Sequence, residues 1–428
     1  MARRCALLLA NVLIACVLTA LSALPAAGAT VTLACSGLGI GFDLCRDGAQ
    51  EWARRSGNEV RFVSPPKGAS EQLALYQQLL AAGSPDIDLF QIDVVWPGIL
   101  GNYFVDLTER AGPDIVRQHL PAMVEAATVR GRLVALPWFA DAGLLYARKD
   151  LLDAYGRPVP ETWEELQDTA ALIQRGERAA GRDRMWGYVW QGRAYEGLTV
   201  NALEWIASRN GGTIVDPDGA ITVDNPRAAE ALTIARGWVG SISPPGVLNY
   251  MEEEARGVFQ SGNAVFMRNW PYAWTLVNAP DSAVGGKVAV VPLPKGGPDG
   301  RHAATLGGQM LAVSKFSAHG NEAADLALHL TGMAEQKRRA IHGASNPTIP
   351  ALYEDAEVVA ANPFFAELAE SIANAVNRPA QATGMRYNQV SAEFYANVHE
   401  VLTGRQDAKA MLPGLQEALT RISRGGRW

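Results

Sequence analysis

Polar and apolar positions alternate along the first part of the chain in a way that predicts strands and helices in turn. Short apolar, β-branched runs predict buried strands at residues 30–35, 60–63 and 87–92. Amphipathic stretches between them predict helices at residues 46–56 and 70–82. This β-α-β-α-β order predicts a parallel sheet, because parallel strands require a crossover helix between them.

Helical patterns dominate the rest of the chain. Strand-like runs return at residues 288–292 and 310–313, and helices are predicted at residues 149–155, 162–178, 199–209, 226–240, 252–260, 321–330, 363–375, 389–403 and 408–423. Predicted helix N-caps are Ser70, Thr162 with Glu165 three residues later, and Thr199. The order of elements predicts an α/β protein with two lobes, between which the chain crosses more than once.

The N-terminus carries the pattern of a secretory signal. Arg3 and Arg4 precede an uncharged apolar run over residues 5–24, and Ala27 and Ala29 then form a small-residue site, which predicts cleavage after Ala29. A lipoprotein signal ending at Cys16 is an alternative, although it would leave an apolar stretch where a polar tether belongs. A retained membrane anchor is a second alternative, and the cleavage site argues against it.

Composition without this leader narrows the function classes. The remaining 399 of 428 residues exceed what one hydrophobic core usually serves, so two domains are expected. Losing Arg3 and Arg4 leaves 36 basic and 44 acidic residues, a net charge of −8, which does not favour nucleic acid or an anionic membrane as a partner. Cys35 and Cys45 would meet an oxidising compartment and are expected to form a disulfide, the alternative being two free buried thiols.

Several enzyme and cofactor signatures are incomplete. Gly37, Gly39 and Gly41 follow a predicted strand as in a dinucleotide loop, but Phe42 stands where the motif needs a third spaced glycine and the second strand ends without an acid. No two of the six histidines have the spacing of metal ligands on one helical turn, and no Gly-x-Ser-x-Gly nucleophile motif occurs. We therefore expect neither a cofactor nor a metal.

An aromatic segment supplies the first candidate for ligand binding. Trp270, Tyr272 and Trp274 alternate along a stretch that also contains Pro271. Neighbours on one helix face recur every three or four positions and proline breaks the helical ladder, so an extended or turning segment is predicted. Such a segment can present flat rings to the C–H faces of a sugar. An ordinary aromatic core strand is the alternative.

Two acids supply the second candidate. Asp93 ends a predicted parallel strand, and the carboxyl edge of such a sheet is where open α/β folds bind ligands. Asp141 interrupts an apolar run, where a buried carboxylate is costly unless a ligand or a local partner bonds to it. A cap or a structural ion pair is the alternative for each. Two acids near a sugar could also form the catalytic pair of a glycoside hydrolase.

Longer motifs resemble the trehalose/maltose-binding proteins of ABC sugar importers, which belong to the large family of extracellular solute-binding proteins. The resemblance is carried by Asn269-Trp270-Pro271-Tyr272-Ala273-Trp274 and by residues 90–96, 136–146, 148–152, 161–163, 190–192, 195–197, 259–264 and 304–308. It covers essentially the whole chain after the leader. It implies a periplasmic-binding-protein type II fold, with two α/β lobes, a ligand cleft at a hinge crossed several times by the chain, and no catalysis.

The resemblance also implies which residues bind the ligand. It points to acids for sugar hydroxyls, aromatic rings for sugar faces, a glycine pair whose backbone amides approach the ligand, and a cleft arginine. In that order these are Asp93 and Asp141, Trp270 and Tyr272, Gly307 and Gly308, and Arg378; further matches are Glu252, Tyr195, Glu196 and, in the first loop, Asp43.

Some positions depart from relatives in the family. Phe139 stands where some have tyrosine, Gln309 where some have tryptophan, and residues 70–74 lack an arginine found in others. An α-linked disaccharide remains the best ligand class, with trehalose, maltose and sucrose unranked.

These observations combine into one expected function. The protein is expected to be a monomeric periplasmic receptor that delivers the disaccharide to the permease subunits of an ABC importer. A secreted glycoside hydrolase using Asp93 with Asp141 or Glu252 is the alternative, and a receptor for another small solute, such as a polyol or a polyamine, is a third possibility. The first lobe is expected to comprise residues 30–138 and 276–333, and the second residues 139–275 and 334–428.

Overall fold

The computed structural model describes residues 28–35, 39–365, 368, 371–372 and 375–428. The predicted leader up to Ala27 lies outside the described residues, as do Gly37 and part of the helix predicted over residues 363–375.

Eleven strands in the described residues form two main sheets and one small hairpin. In chain order they are β1 Thr30–Ala34, β2 Glu59–Val63, β3 Leu89–Asp93, β4 Thr128–Val129, β5 Arg132–Leu133, β6 Leu136–Ala142, β7 Leu144–Arg148, β8 Trp186–Val189, β9 Ala264–Asn269, β10 Val288–Pro292 and β11 Leu306–Val313. The first sheet has the order β2-β1-β3-β11-β6 and the second the order β10-β7-β9-β8, while β4 pairs with β5.

The first sheet places several candidate residues side by side. Strand β1 pairs in parallel with β2 and β3, which confirms the parallel opening predicted from the sequence. Strand β11 runs antiparallel between β3 and β6, with Gln309 opposite Asp93 and Gly307 opposite Asp141. The two acids and the glycine pair, far apart in sequence, therefore meet on three adjacent strands.

Helices surround both sheets. Their bounds are α1 Gly41–Ser56, α2 Ala69–Ala81, α3 Pro97–Leu100, α4 Thr108–Val116, α5 Pro121–Ala126, α6 Lys149–Ala154, α7 Trp163–Ala179, α8 Glu196–Ser208, α9 Pro226–Trp238, α10 Glu252–Gln260, α11 Ala273–Val277, α12 Gly320–Thr331, α13 Met333–Gly343, α14 Ala356–Ala361, α15 Ala380–Thr383, α16 Tyr387–Leu402 and α17 Ala408–Ile422. Four single turns of 3-10 helix lie at Gly101–Tyr103, Pro245–Asn249, Pro350–Tyr353 and Gly384–Arg386.

The observed starts of α2, α7 and α8 test the three predicted helix N-caps. The capping box of Thr162 and Glu165 is confirmed at the start of α7. Ser70 is not a cap, because α2 already begins at Ala69. Thr199 is not a cap either: α8 begins three residues earlier, and the Thr199 hydroxyl lies 2.7 Å from Ser391 Oγ in the interior. The predicted start of α2 is one residue late, whereas the second error places an interior residue of α8 at its end.

Each main sheet has its own hydrophobic core. Buried side chains from residues 31–140 and 306–330 pack around the first sheet, and those from residues 142–304 and 340–419 pack around the second. Strand β10 pairs with β7, and Val290 belongs to the second core. The predicted start of the second first-lobe segment at residue 276 is therefore wrong, because the chain returns to the first sheet only at β11.

A disulfide joins the first strand to the first helix. Cys35 lies directly after β1 and Cys45 lies in α1, and the two sulfurs are bonded with their Cα atoms 6.4 Å apart. This confirms the pairing expected from the two cysteines that remain after the leader. Both residues are fully buried in the first core, so the bond ties α1 to the carboxyl end of β1.

Candidate functional site

A cavity lies between the two sheets, at the carboxyl end of β3. Its empty volume, which includes space open to solvent, is about 1120 Å³. Its lining includes all the predicted ligand-binding residues except one: Asp93, Asp141, Tyr195, Glu196, Glu252, Trp270, Tyr272, Gly307, Gly308 and Arg378. The structure therefore brings together residues that the sequence separates by up to 285 positions.

Asp43 is the exception. It lies in the first turn of α1, where its carboxylate pairs with Arg46 three residues later at 2.7 Å. Its side chain is 59% exposed, and Asp43 is not part of the cavity lining. The expectation that it contributes to the site is not met, because the helix turns this acid away from the cavity.

The aromatic segment forms a turn between a strand and a short helix. Strand β9 ends at Asn269, and α11 begins at Ala273. The Asn269 side chain accepts the Trp270 backbone N–H at 2.8 Å, and the Tyr146 hydroxyl donates to the Trp270 carbonyl at 2.7 Å. The prediction of a turning segment is confirmed, and the turn is held by the second lobe.

The Trp270 ring lies against Arg268 of the second lobe and close to Gly307 of the first. The Arg268 guanidinium lies 4.0 Å from the centre of the ring, a cation–π arrangement. On the other lobe, a Cβ atom added at Gly307 would lie only 2.9 Å from the ring. Glycine at this position therefore lets the ring approach β11. Glu252 accepts the Trp270 indole N–H at 3.4 Å, and burial raises the pKa of Glu252.

Gly308 has a backbone conformation that side chains rarely adopt. Its φ angle is +125°, and an added Cβ atom would lie 2.3 Å from the Phe139 carbonyl oxygen. The β11–β6 register shifts directly after it, between Gln309 and Met310. Glycine is therefore required at the two positions for different reasons. Gly307 leaves space for the Trp270 ring, and Gly308 adopts a backbone conformation that other residues rarely adopt.

Tyr272 and Trp274 have different surroundings although they lie two residues apart. The Tyr272 hydroxyl donates to Glu253 Oε1 at 2.8 Å, and its ring lines the cavity. Trp274 is not part of the lining and packs against Phe364, with ring centres 5.2 Å apart. Two of the three aromatic residues therefore face the cavity, while the third packs against the second core.

Arg378 joins the two lobes through two carboxylates. Its Nη2 donates to Asp93 Oδ1 at the end of β3, and its Nη1 donates to Glu196 Oε1 at the start of α8, both at 2.8 Å. The Arg378 side chain is 2% exposed. Glu196 also accepts hydroxyl hydrogen bonds from Tyr387 and, at 2.6 Å, from Ser391. The arginine thus neutralises one acid from each lobe.

Asp141 differs from Asp93 because the structure gives it no such partner. Its side chain is half-buried, and within the described residues no hydrogen bond or ion pair reaches its carboxylate. Burial raises the pKa of Asp141 to about 8, against the opposing attraction of Arg339 and Arg268. The sequence analysis anticipated that an acid in this apolar run would need a ligand or a local partner.

This raised pKa leads to a prediction about stability. Between about pH 4 and pH 8 the unfolded carboxyl is ionised while the folded one keeps its proton, so the unfolding free energy should fall as the pH rises through this window. Asp141→Asn cannot titrate and should lack this part of the decline. We expect the wild type to gain on the variant as the pH is lowered from 8 to 5 in urea unfolding. The exposed Asp43→Asn is the control, and a wild-type advantage independent of pH would contradict the assignment.

Several lining residues were not predicted from the sequence. They are Lys67, Gln72, Trp96, Trp138, Ser345 and Arg339, among others. Trp96 and Trp138 lie within the motifs that carried the family resemblance, so proximity to Asp93 and Asp141 could have indicated them. Arg339 lies in the middle of α13, whose sequence has no feature that distinguishes it from a surface helix.

Other kinds of site have no support in the described residues. No group of three or more His, Cys, Asp or Glu side chains in this part of the chain is placed to hold a metal ion. None of the helices described there is both long and apolar enough to cross a membrane.

Comparisons with known proteins agree with this architecture. Residues 46–337 match the family model described as bacterial extracellular solute-binding protein. A probable ABC transporter-binding protein of Deinococcus radiodurans is 50% identical over 400 residues, covering 93% of this chain and 94% of the relative.

Solved structures show the same two-lobed fold. Maltose-bound MalE3 of T. maritima matches with a TM-score of 0.87 and 38% identity, covering 92% of this chain and all of the other. A solute-binding protein of Agrobacterium radiobacter K84 in complex with ribitol matches with a TM-score of 0.81 and 24% identity, covering 93% and 100%. At that identity the second likeness concerns the fold alone.

Proposed function

Because this chain belongs to the family of bacterial extracellular solute-binding proteins, we propose that it captures an α-linked disaccharide and delivers it to the permease of an ABC importer. Membership supports the coarser statement that it is a sugar-binding component of such an importer. The disaccharide class, with maltose, trehalose and sucrose as candidates, is the proposal.

The arrangement of the cavity carries this proposal. Trp270 and Tyr272 offer apolar faces, while Asp93, Asp141 and Arg378 offer hydrogen-bonding groups within the same lining. A sugar needs both, because its C–H faces stack on aromatic rings and each buried hydroxyl left unpaired costs about a kilocalorie or more. The likeness to maltose-bound MalE3 over nearly the whole chain adds support for a maltose-like ligand.

Calorimetric titration against a panel tests the ligand class. The panel contains maltose, trehalose and sucrose, with ribitol, mannitol and spermidine as members of the other solute classes. We expect at least one disaccharide to bind more tightly than any polyol or polyamine, and to be recovered intact after prolonged incubation. Preference for a polyol or polyamine would contradict the disaccharide proposal, and release of glucose would favour a hydrolase acting through the cavity acids.

Removal of the Trp270 ring should weaken binding of that disaccharide. Stacking on a desolvated aromatic face is worth on the order of 1–3 kcal/mol, so Trp270→Ala should lose about tenfold to a hundredfold in affinity. Titration gives the affinity. We expect the bound sugar to close the two lobes by hinge bending, and small-angle scattering shows whether it still compacts the variant.

Trp274→Ala is the matched control for this change. It removes the same side chain four residues later, from packing against Phe364 rather than from the cavity. It should lower the melting temperature while leaving the affinity nearly unchanged. Equal affinity losses in the two variants would mean that the aromatic segment acts through core packing.

The proposed function also requires that the protein be exported to the periplasm. A receptor of this kind must reach the periplasm, and the leader pattern would release a mature chain starting at Thr30. Mass spectrometry of the exported protein should find that N-terminus. A lipid-modified Cys16 at the N-terminus would instead support the lipoprotein alternative.

A further inference from the structure

Arg339 is a buried cation without the partners that buried cations usually have. It is 2% exposed, and its Nε and Nη1 atoms have no hydrogen-bond partner within the described residues. Burial lowers the pKa of Arg339 to about 10, so the guanidinium is still charged at neutral pH. Buried polar groups in native proteins are almost always paired, so an unpaired guanidinium requires an explanation.

The nearest acid on the same helix does not supply that partner. Glu335 lies one turn before Arg339 and is 3% exposed. Both Glu335 oxygens are bonded by Arg338, at 2.8 Å through Nε and 2.6 Å through Nη2. Arg339 instead lies over two aromatic rings, 4.0 Å from the centre of Trp138 and 5.1 Å from that of Phe139. The rings hold the guanidinium plane in place without satisfying its N–H groups.

Arg339 also places a charged group at the cavity. It belongs to the lining, and its Nε and Nη1 atoms are enclosed without a hydrogen-bond partner in the described residues. Asp141 lines the same cavity and is close enough to Arg339 for the two charges to interact, but it makes no ion pair with it. A cationic donor and a carboxyl group are thus both left available to a molecule in the cavity.

The chemistry of this pair selects the ligand group. A cationic group would meet the charges of Arg339 and Arg378. A hydroxyl group accepts from the guanidinium and can donate to or accept from the carboxyl group of Asp141, and two adjacent hydroxyls can satisfy both partners at once. Resting on the sugar-receptor function proposed above, we propose that Arg339 is a further ligand-binding residue, which together with Asp141 binds two adjacent hydroxyl groups of one sugar ring.

Single-deoxy derivatives of maltose test this assignment one hydroxyl at a time. The wild type should lose on the order of 10- to 100-fold in affinity for derivatives that lack either hydroxyl of one adjacent pair, because charged groups are then left unpaired. Arg339→Met should bind maltose more weakly by a similar factor and should no longer distinguish maltose from the derivative lacking the hydroxyl that Arg339 bonds. Asp141→Asn, which keeps the shape of the side chain, should lose discrimination at the neighbouring hydroxyl.

Lys337→Met is the control on the same helix. Lys337 pairs with Asp355 and Glu357 and is not part of the lining, so this variant should keep the wild-type pattern of deoxy-sugar affinities. If Arg339→Met and Asp141→Asn both keep the wild-type discrimination, Arg339 is structural and the inference is overturned while the receptor function stands. If the wild type binds no sugar, the proposed function fails and the inference fails with it. Should Arg339→Met not fold, Arg339→Lys replaces it, since lysine keeps the charge but lacks the planar set of donors, and unchanged discrimination in that variant overturns the inference.

Discussion

Replacing Arg378 with methionine should destabilise the closed arrangement of the two lobes by about 3–5 kcal/mol, because it leaves two buried carboxylates without their shared cation. Asp93 and Glu196 are each at 2.8 Å from the guanidinium, and their side chains are 12% and 10% exposed. Glu196 would keep its two hydroxyl donors, whereas Asp93 would keep only the Val95 backbone N–H at 3.1 Å.

Arg378→Met should therefore lower the affinity for sugar and prevent the sugar from compacting the protein. A closed form weakened by 3–5 kcal/mol corresponds to a drop in sugar affinity of more than a hundredfold, as measured by titration with the preferred disaccharide. Small-angle scattering should show a protein that no longer compacts at sugar concentrations saturating the wild type.

Arg405→Met is the matched control for this substitution. Its ion pair with Glu400 has the same 2.8 Å length, but the arginine side chain is 68% exposed. Such a surface pair contributes about 0–1 kcal/mol, so the control should melt and bind like the wild type. If Arg378→Met behaves like this control, the arginine does not hold the lobes together.

Replacing Arg268 with methionine should lower the unfolding free energy by about 3–5 kcal/mol through a different buried pair. Arg268 donates to both oxygens of Glu204, at 3.0 Å from Nε and 2.6 Å from Nη2, and the two side chains are 1% and 0% exposed. Without the guanidinium, Glu204 would keep only the Thr305 backbone N–H at 3.2 Å. Chemical unfolding should show this loss in the second lobe.

A double substitution separates the electrostatic effect of the Arg268–Glu204 pair from the packing of the two side chains. Arg268→Met combined with Glu204→Leu removes both charges, and replacing a buried pair by apolar side chains of similar volume is often neutral or stabilising. The double variant should therefore recover most of the stability lost by Arg268→Met. It should still bind sugar less tightly than the wild type, because the cation that lies over the Trp270 ring is gone. A double variant as unstable as the single one would show that Glu204 is not the cause.

Sequence patterns were informative where structure depends on near neighbours. The strand and helix order of the opening segment, the capping box at Thr162 and the turn at Trp270 all follow from spacings of a few residues. Asp93 was placed correctly at the end of a strand that reaches the cavity, because a strand's end and its parallel pairing can both be predicted from alternating elements. The family resemblance extended this to ten residues of the cavity lining, since it carried over residues that local patterns cannot join.

Helix boundaries and lobe boundaries were less predictable. Thr199 has the composition of a cap but became an interior residue of α8, because Ser391 from a distant helix bonds its hydroxyl. Strand β10 could have paired in either sheet, and its apolar pattern is the same in both cases. Its pairing with β7 was decided by packing around the second core.

By itself, then, the sequence determined the order of elements, the acid at the end of β3, the turning aromatic segment and the cysteines available for the disulfide. These depend on backbone preferences and on side-chain periods of two and 3.6 residues, which act over short distances. Only the tertiary structure decided that Arg378 bridges Asp93 and Glu196, that Arg268 pairs with Glu204, and that Asp43 faces solvent. It also turned Arg339 inward, although α13 looks like a surface helix in the sequence. The partner of a charge depends on which distant segment packs beside it, and no local pattern encodes that distance.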